Sequence, residues 1–288
     1  MKFSISVAMN PLEQFGELAQ TAEECGFSSV VLPDSLFYSE SVSADYPYTP
    51  DGNRFWNAET PWADPLVAVA SMGAVTSEIE FYTSVMKLGS RNPVLLARQV
   101  NSVAAFTGNR FGLGLGVGWS PEEFEWCGAP YANRGKRVDE AIEALRLILD
   151  GGMVEYHGKY FDFDKLQMSP APTKRVPFYI GGHTEVALKR AAWVGDGWSS
   201  AMMKLEDIKT TINRLNELRA EYGKTGPFEF QAVCIDRFGL DGYREQAEVG
   251  VTDVITQPWV FDGIGFGDPI GPKKDSLKKF ADEIISKF

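Results

Sequence analysis

The 288-residue chain carries 39 acidic against 28 basic side chains, a formal charge of −11, which argues against nucleic acid or an anionic membrane surface as partner. Three cysteines, odd in number and far apart, and only two histidines leave neither a disulfide framework nor a metal ligand set. No segment approaches the ~20 apolar residues of a membrane span, and the N-terminal apolar run is too short for a signal peptide, so a cytoplasmic protein is expected.

In chain order, residues 3–8 read as a first strand, 12–25 as the helix after it and 29–32 as a second strand. A long segment, 33–62, precedes a helix at 65–75. A strand at 79–85, a helix at 94–106 and a strand at 111–116 come next. Residues 117–133 form a second long segment, in which Ser120, Pro121 and Glu123 spell a helix start with a cap, a proline at the first position and a capping box. The helix at 135–149 is the clearest: Val138, Ala141, Ile142, Leu145 and Leu149 share one face, and Gly151 stops it. Residues 154–173 read as a packing excursion containing a β-hairpin that turns at Gly158. Strands at 177–180, 197–200, 229–235 and 253–257 then alternate with helices at 185–194, 205–222 and 241–248, and a helix at 276–286 closes the chain.

Eight strands with intervening helices and no domain break predict an α/β fold, one (β/α)8 TIM barrel over residues 1–288, with an open doubly wound sheet as the alternative. The long segments 33–62, 117–133 and 258–272 all follow strands. They belong to the C-terminal face, where barrel enzymes keep their active sites.

Two strand endings carry the chemistry. One has glycines at 112, 114, 116 and 118; the other runs through Gly181, Gly182 and His183 into the helix at 185–194. Glycine there lets backbone approach a ligand, and the N–H groups of Gly181, Gly182 and His183 at a helix N-terminus favour a phosphate. The spacing is not a Rossmann fingerprint, because Gly112-Leu-Gly-Leu-Gly does not flow into a helix. There is no Gly-x-Ser-x-Gly for a serine hydrolase, and Lys87, beside Arg91, reads as an exposed charge rather than a Schiff-base lysine. Polar groups lie amid aromatics after the strands: Asp34, Ser35, Phe37 and Tyr38; then Ser84, Arg91 and Asn92; then Trp119, Glu122 and Glu125. Clefts of that mixture bind large planar ligands.

The ordered set Ser29-Val-Val-Leu-Pro-Asp34, Phe81-Tyr-Thr-Ser-Val85, Arg91-Asn-Pro-Val94, Gly112-Leu-Gly-Leu-Gly-Val-Gly-Trp119, Glu122-Glu-Phe124, Arg134-Gly-Lys-Arg137, Tyr156-His-Gly-Lys-Tyr-Phe161, Ile180-Gly-Gly-His183 and Gly195-Asp-Gly-Trp198 resembles the bacterial luciferase-like superfamily. The match is nearest to its coenzyme F420-dependent branch. The resemblance implies a barrel that holds F420 or FMN at its C-terminal face, in a homodimer. It also implies a cis peptide bond at Ser84–Val85 behind the ring, backbone contacts from Gly116, Val117 and Gly118, a phosphate held by Gly181, Gly182 and His183, and a hydroxyl from Ser200 on that phosphate. Asp34, Tyr38 and Glu122 are the candidates for proton handling, and Ser35, Phe37 and Trp119 for the substrate pocket. Two positions depart from relatives: Asp34-Ser35 stands where many carry Asp-His, and Trp119 where the sugar-phosphate dehydrogenases carry glutamate. Without a base beside a hydroxyl, sugar phosphates and secondary alcohols become doubtful substrates.

The expected function is hydride exchange between a deazaflavin and a small organic substrate, apolar or unsaturated. An FMN-dependent monooxygenase is the alternative within the family, and a non-catalytic flavin-binding protein the alternative from another class. Cationic Lys87, Arg91, Lys273 or Lys274 near the mouth would favour the oligoglutamyl tail of F420 over FMN.

Overall fold

Alternation along the strands separates an inner from an outer apolar surface, and the chain closes on itself to bury both. The computed structural model describes residues 1–288. Its elements are β1 (Lys2–Ser6), α1 (Phe15–Glu24), β2 (Ser29–Leu32), α2 (Pro65–Gly73), β3 (Glu80–Thr83), β4 (Met86–Lys87), α3 (Pro93–Phe106), β5 (Phe111–Gly116), α4 (Pro121–Trp126) and α5 (Arg134–Leu149). After the hairpin β6 (Val154–His157) and β7 (Asp162–Leu166) come β8 (Phe178–Gly181), α6 (Glu185–Val194), β9 (Gly197–Met203), α7 (Leu205–Glu221), β10 (Glu229–Cys234), α8 (Gly239–Glu248), β11 (Asp253–Thr256), α9 (Pro258–Phe261) and α10 (Ile270–Glu283).

All barrel pairings are parallel, running β1–β2–β3–β5–β8–β9–β10–β11 and back to β1, with β4 continuing β3 alongside β5. This is the closed eight-stranded (β/α)8 barrel that the strand count predicts. Outward residues such as Phe81, Leu113, Phe178 and Trp198 are buried beneath the helices, each worth about 1.5–3 kcal/mol by area. Inward residues Val31, Tyr82, Tyr179 and Ile255 form a separate inner cluster.

Several local departures have physical causes. The third strand is interrupted at the Ser84–Val85 peptide, which is cis as the resemblance implies. The last helix starts at Ile270 rather than 276, because Pro272 falls in the first turn, where no backbone N–H is needed. Ser120 does cap α4, accepting from Glu123 N at 3.4 Å, but the Glu123 carboxylate turns to Lys87 instead of returning to the cap. The hairpin turns at Gly158, whose N–H donates to Phe161 O at 2.9 Å, and it is docked on α5 by Glu140, which accepts from Tyr160 and Phe161 N–H.

Candidate active site

At the C-terminal mouth the strand ends enclose a cleft of about 750 Å³. Ser84 and Val85 form its floor with Ser199 and Ser200. Gly116, Val117, Gly118 and Trp119 line one side, and Gly181, Gly182 and His183 the other. Asp34 and Ser35 stand at the β2 edge. The barrel thus brings together twelve of the residues singled out from sequence. Phe37, Tyr38 and Glu122 do not line this cleft.

The glycines serve the protein before any ligand. A Cβ on Gly116 or Gly181 would meet the Val85 side chain at 2.6 or 2.9 Å, and one on Gly114 would collide with the Thr83 carbonyl oxygen. They make room for the segment joining β3 to β4. Gly182 is demanded twice, by a φ of +112° and by Ala187, whose Cβ would lie only 2.8 Å from a Cβ added there.

Beyond Gly182 the chain enters α6, capped by Thr184 Oγ1, which accepts from Ala187 N at 3.4 Å. The preceding N–H groups of that first turn have no acceptor within the helix. His183 presents a neutral ring: burial lowers its pKa against the opposing pull of Asp207, and Nε2 accepts from Ala201 N at 3.1 Å. Ser200 Oγ accepts from Val233 N at 2.9 Å, which leaves its hydroxyl proton to donate.

Cationic charge reaches the same end from α5 and α6. Arg134 stacks on Tyr131, its guanidinium carbon 3.9 Å from the ring centre, and Arg190 is tied to Asp139 at 2.5 Å. Three buried donors on cleft-lining side chains, Arg134 Nε, Trp56 Nε1 and Trp62 Nε1, have no acceptor. Buried polar groups are normally satisfied, so this wall suits a ligand that brings several acceptor oxygens. A phosphorylated flavin or deazaflavin fits that donor set.

The proton-handling candidates are differently disposed. Asp34 is held on both oxygens by Arg91 and takes a further bond from Lys87 N–H. Glu122 accepts from Ser43 N at 2.8 Å and Ser120 Oγ at 2.9 Å; desolvation pulls its pKa upward, but these bonds outweigh it and hold the group at about 2. Tyr38 is exposed beneath Arg54, and Phe37 stacks on Trp126 at 5.0 Å.

Two cations expected near the mouth are buried and paired, although Lys87 does line the cleft. Lys87 is buried and paired with Glu123 at 2.5 Å, and Lys273 is fully buried on Asn10, Gln14 and the Phe266 carbonyl. Each lysine has a partner far away in sequence that brings it inside. Arg91 is tied to Asp34 and Lys274 to Glu17.

A second chamber of about 400 Å³ adjoins the cleft, sharing Pro33, Phe55, Trp62, Ser84, Met202 and Val233 with it. Its further walls, Met9, Phe238, Val260, Phe261 and Phe266, are apolar.

A sequence model of the luciferase-like monooxygenase family matches residues 3–248. The chain belongs to that family. An uncharacterized protein of Mycobacterium tuberculosis (strain ATCC 25618 / H37Rv) is 41% identical over 288 residues, 100% of both chains. In fold the chain is similar to the coenzyme F420 dependent tetrahydromethanopterin reductase from Methanopyrus kandleri, with a TM-score of 0.76 and 17% identity over 100% of this chain and 99% of that one. It is also similar to the oxygenating constituent of 3,6-diketocamphane monooxygenase from Pseudomonas putida in complex with FMN, with a TM-score of 0.62 and 15% identity over 82% and 68% of the two chains. Luciferase-like proteins are oxidoreductases and monooxygenases, and both F420 and FMN occur among the structural neighbours.

Sequence reasoning placed segment 33–62 at this face but named none of the aromatics that roof this luciferase-like site. Tyr46 packs edge-on against Trp119 at 5.3 Å and Trp56 at 5.0 Å, Trp56 against Trp62 at 5.7 Å, and Tyr48 against His183 at 5.1 Å. Segment 33–62 therefore lies across the cleft from the β5 side to the β8 side. Its aromatic density was the available signal.

Proposed function

We propose that this luciferase-like protein is an F420-dependent oxidoreductase that exchanges a hydride between the deazaflavin and a small, largely apolar organic substrate. The observation that carries this reading is the juxtaposition of a donor-rich cleft with an apolar chamber, meeting at Ser84. F420 rather than FMN is favoured by Arg134 at the start of α5, which lines the cleft together with Thr184 and Val186 at the α6 N-terminus, where a long anionic tail would run.

The cofactor, when bound, supplies or receives the hydride. The chain's own contribution is placement. Val85 and the glycines around it give the ring a floor, the first turn of α6 with Ser200 holds the phosphate, and the Tyr46, Trp56 and Trp62 roof excludes water. Ser84 Oγ, 3.0 Å from Ser199 Oγ, is the hydroxyl at the junction of cleft and chamber. Asp34 and Glu122 are assigned to holding the roof and loops, not to proton transfer. The protein acts as a homodimer through the exposed side chains of Val67 on α2 and Leu95 and Phe106 on α3.

Parallel titration of the cofactor-free chain with F420 and FMN, followed by ligand fluorescence, tests the reading. Tighter F420 binding is expected. Preference for FMN turns the reading to the monooxygenase, binding with no turnover by any donor or acceptor turns it to a carrier, and binding of neither ends it.

A further inference from the structure

Beneath the cleft floor, the inside of the barrel holds polar groups that the proposed chemistry does not use. Asp253 on β11 has no exposed surface. Its carboxylate accepts from Ser4 Oγ at 2.8 and 2.9 Å and from Tyr82 OH at 2.8 Å. Gln231 on β10, also with no exposed surface, is in register with Asp253 on one side and Ser199 on the other. Neither its Nε2 nor its Oε1 has a partner. In-register inward side chains on adjacent strands stand ~4.8 Å apart, and an unpartnered buried amide between polar neighbours is the setting in which proteins hold internal water. Ser199 in turn meets Ser84 on the cleft floor.

We propose that Asp253 is a proton store for the cleft, joined to Ser84 through water held on the Gln231 amide and through the Ser199 hydroxyl. This rests on the reading of the cleft as the site of reaction. On delivery the Asp253 O–H bond breaks and the carboxylate keeps the electron pair. The proton passes along water and Ser199 to Ser84 Oγ, whose own proton goes to the acceptor in the cleft. The store refills from solvent at the opposite, N-terminal mouth, where Lys2 pairs with Glu229 at a partly exposed edge.

The charged and titratable groups facing Asp253 are Lys2, Glu80, Tyr82, Tyr179 and Glu229. Burial dominates and pushes its pKa up to about 6 against the bonds from Tyr82 and Ser4. A group poised there is protonated or not across the physiological range.

The test uses the full chain loaded with whichever of F420 or FMN binds it, in wild-type, Asp253→Asn and Gln231→Leu forms. The midpoint potential of the bound cofactor is followed against pH. The wild-type dependence is expected to steepen just above pH 6, where reduction draws one further proton into the barrel, and this steepening is expected to be lost in Asp253→Asn while cofactor affinity changes less than about threefold. Gln231→Leu, which interrupts the path but not the equilibrium, is expected to keep the steepening and to slow proton-coupled reduction of the cofactor about tenfold, and an unchanged rate there overturns the water path. Carbon-13 NMR of the Asp253 carboxyl in the cofactor-free chain is expected to show titration near pH 6 in wild type and Gln231→Leu alike. A potential profile that Asp253→Asn leaves unchanged, or a carboxyl that does not titrate near that pH, overturns the proposal. Failure of either cofactor to bind is seen before any variant is made and removes the cleft reading itself.

Discussion

Arg91 closes on both carboxylate oxygens of Asp34, Nη1 lying 2.6 Å from Oδ2 and Nη2 2.9 Å from Oδ1. Lys87 N–H adds a bond to Oδ2 at 2.8 Å. The pair ties the end of β2 to the loop after β4, at the rim of the cleft. Removing one member of a buried pair leaves the other charge stranded, so Asp34→Ala is expected to lower stability by about 3–5 kcal/mol, read by urea unfolding. If Asp34 instead handled protons, Asp34→Asn would abolish turnover at unchanged stability, and that result would falsify the positioning role.

The proposed phosphate seat is best probed without touching Gly182, whose φ and contact with Ala187 make any substitution there a folding lesion. Val186 lies in the first turn of α6, lines the cleft and is 65% exposed. A carboxylate at that position opposes a bound anion where the helix end otherwise favours it. Val186→Glu is expected to weaken F420 or FMN binding about 10- to 100-fold with the melting temperature unchanged. Equal affinity in the two forms would move the phosphate elsewhere.

The proposed function assigns Glu122 a structural role. Its pKa near 2 lies below the unfolded value of about 4.5, so its stabilising contribution is present above pH 4.5 and lost as pH falls through 2. Because the side chain is well solvated, that contribution is less than about 1 kcal/mol. Glu122→Gln is expected to lower the melting temperature slightly at pH 7, to have no effect near pH 2, and to leave turnover within about twofold. A large loss of turnover at constant stability would return Glu122 to the chemistry.

Asp253 gives the opposite pH signature. Its folded pKa is raised from 3.8 to about 6, so the native state binds the proton more tightly than the unfolded chain. Stability then falls as pH rises from about 4 to 6 and levels off above, an effect on the order of 3 kcal/mol. In Asp253→Asn this decline is expected to disappear, as measured by denaturant unfolding across that pH range.

The proposed homodimer face is tested on α3. Leu95 and Phe106 are 61% and 76% exposed, and a charge placed in an apolar interface core is costly. Phe106→Glu is expected to convert a dimer to a monomer by light scattering, with the cofactor affinity retained. A dimer that survives both Leu95→Glu and Phe106→Glu places the contact elsewhere.

Strand number, strand order and the alternation with helices were legible in the sequence because they follow from periodicity, caps and turn residues, which act over a few neighbouring residues. The same local logic located the helix end after Gly182 and assigned the long segments to the C-terminal face. What only the tertiary structure decided is which charges are free. Lys87 and Lys273 look like surface cations until barrel closure brings Glu123 to the first and Asn10 to the second, partners 36 and 263 residues away. Likewise, the glycines at 116 and 181 line the cleft, and packing adds a reason for them that the sequence does not show, the Val85 side chain against each. The unpaired amide of Gln231 beside Asp253 has no sequence signal at all, since an inward glutamine on a strand becomes an unsatisfied group only when its neighbours on both sides are in register. Pair energies depend on distance between atoms, and those distances are set by closure of the sheet rather than by spacing along the chain.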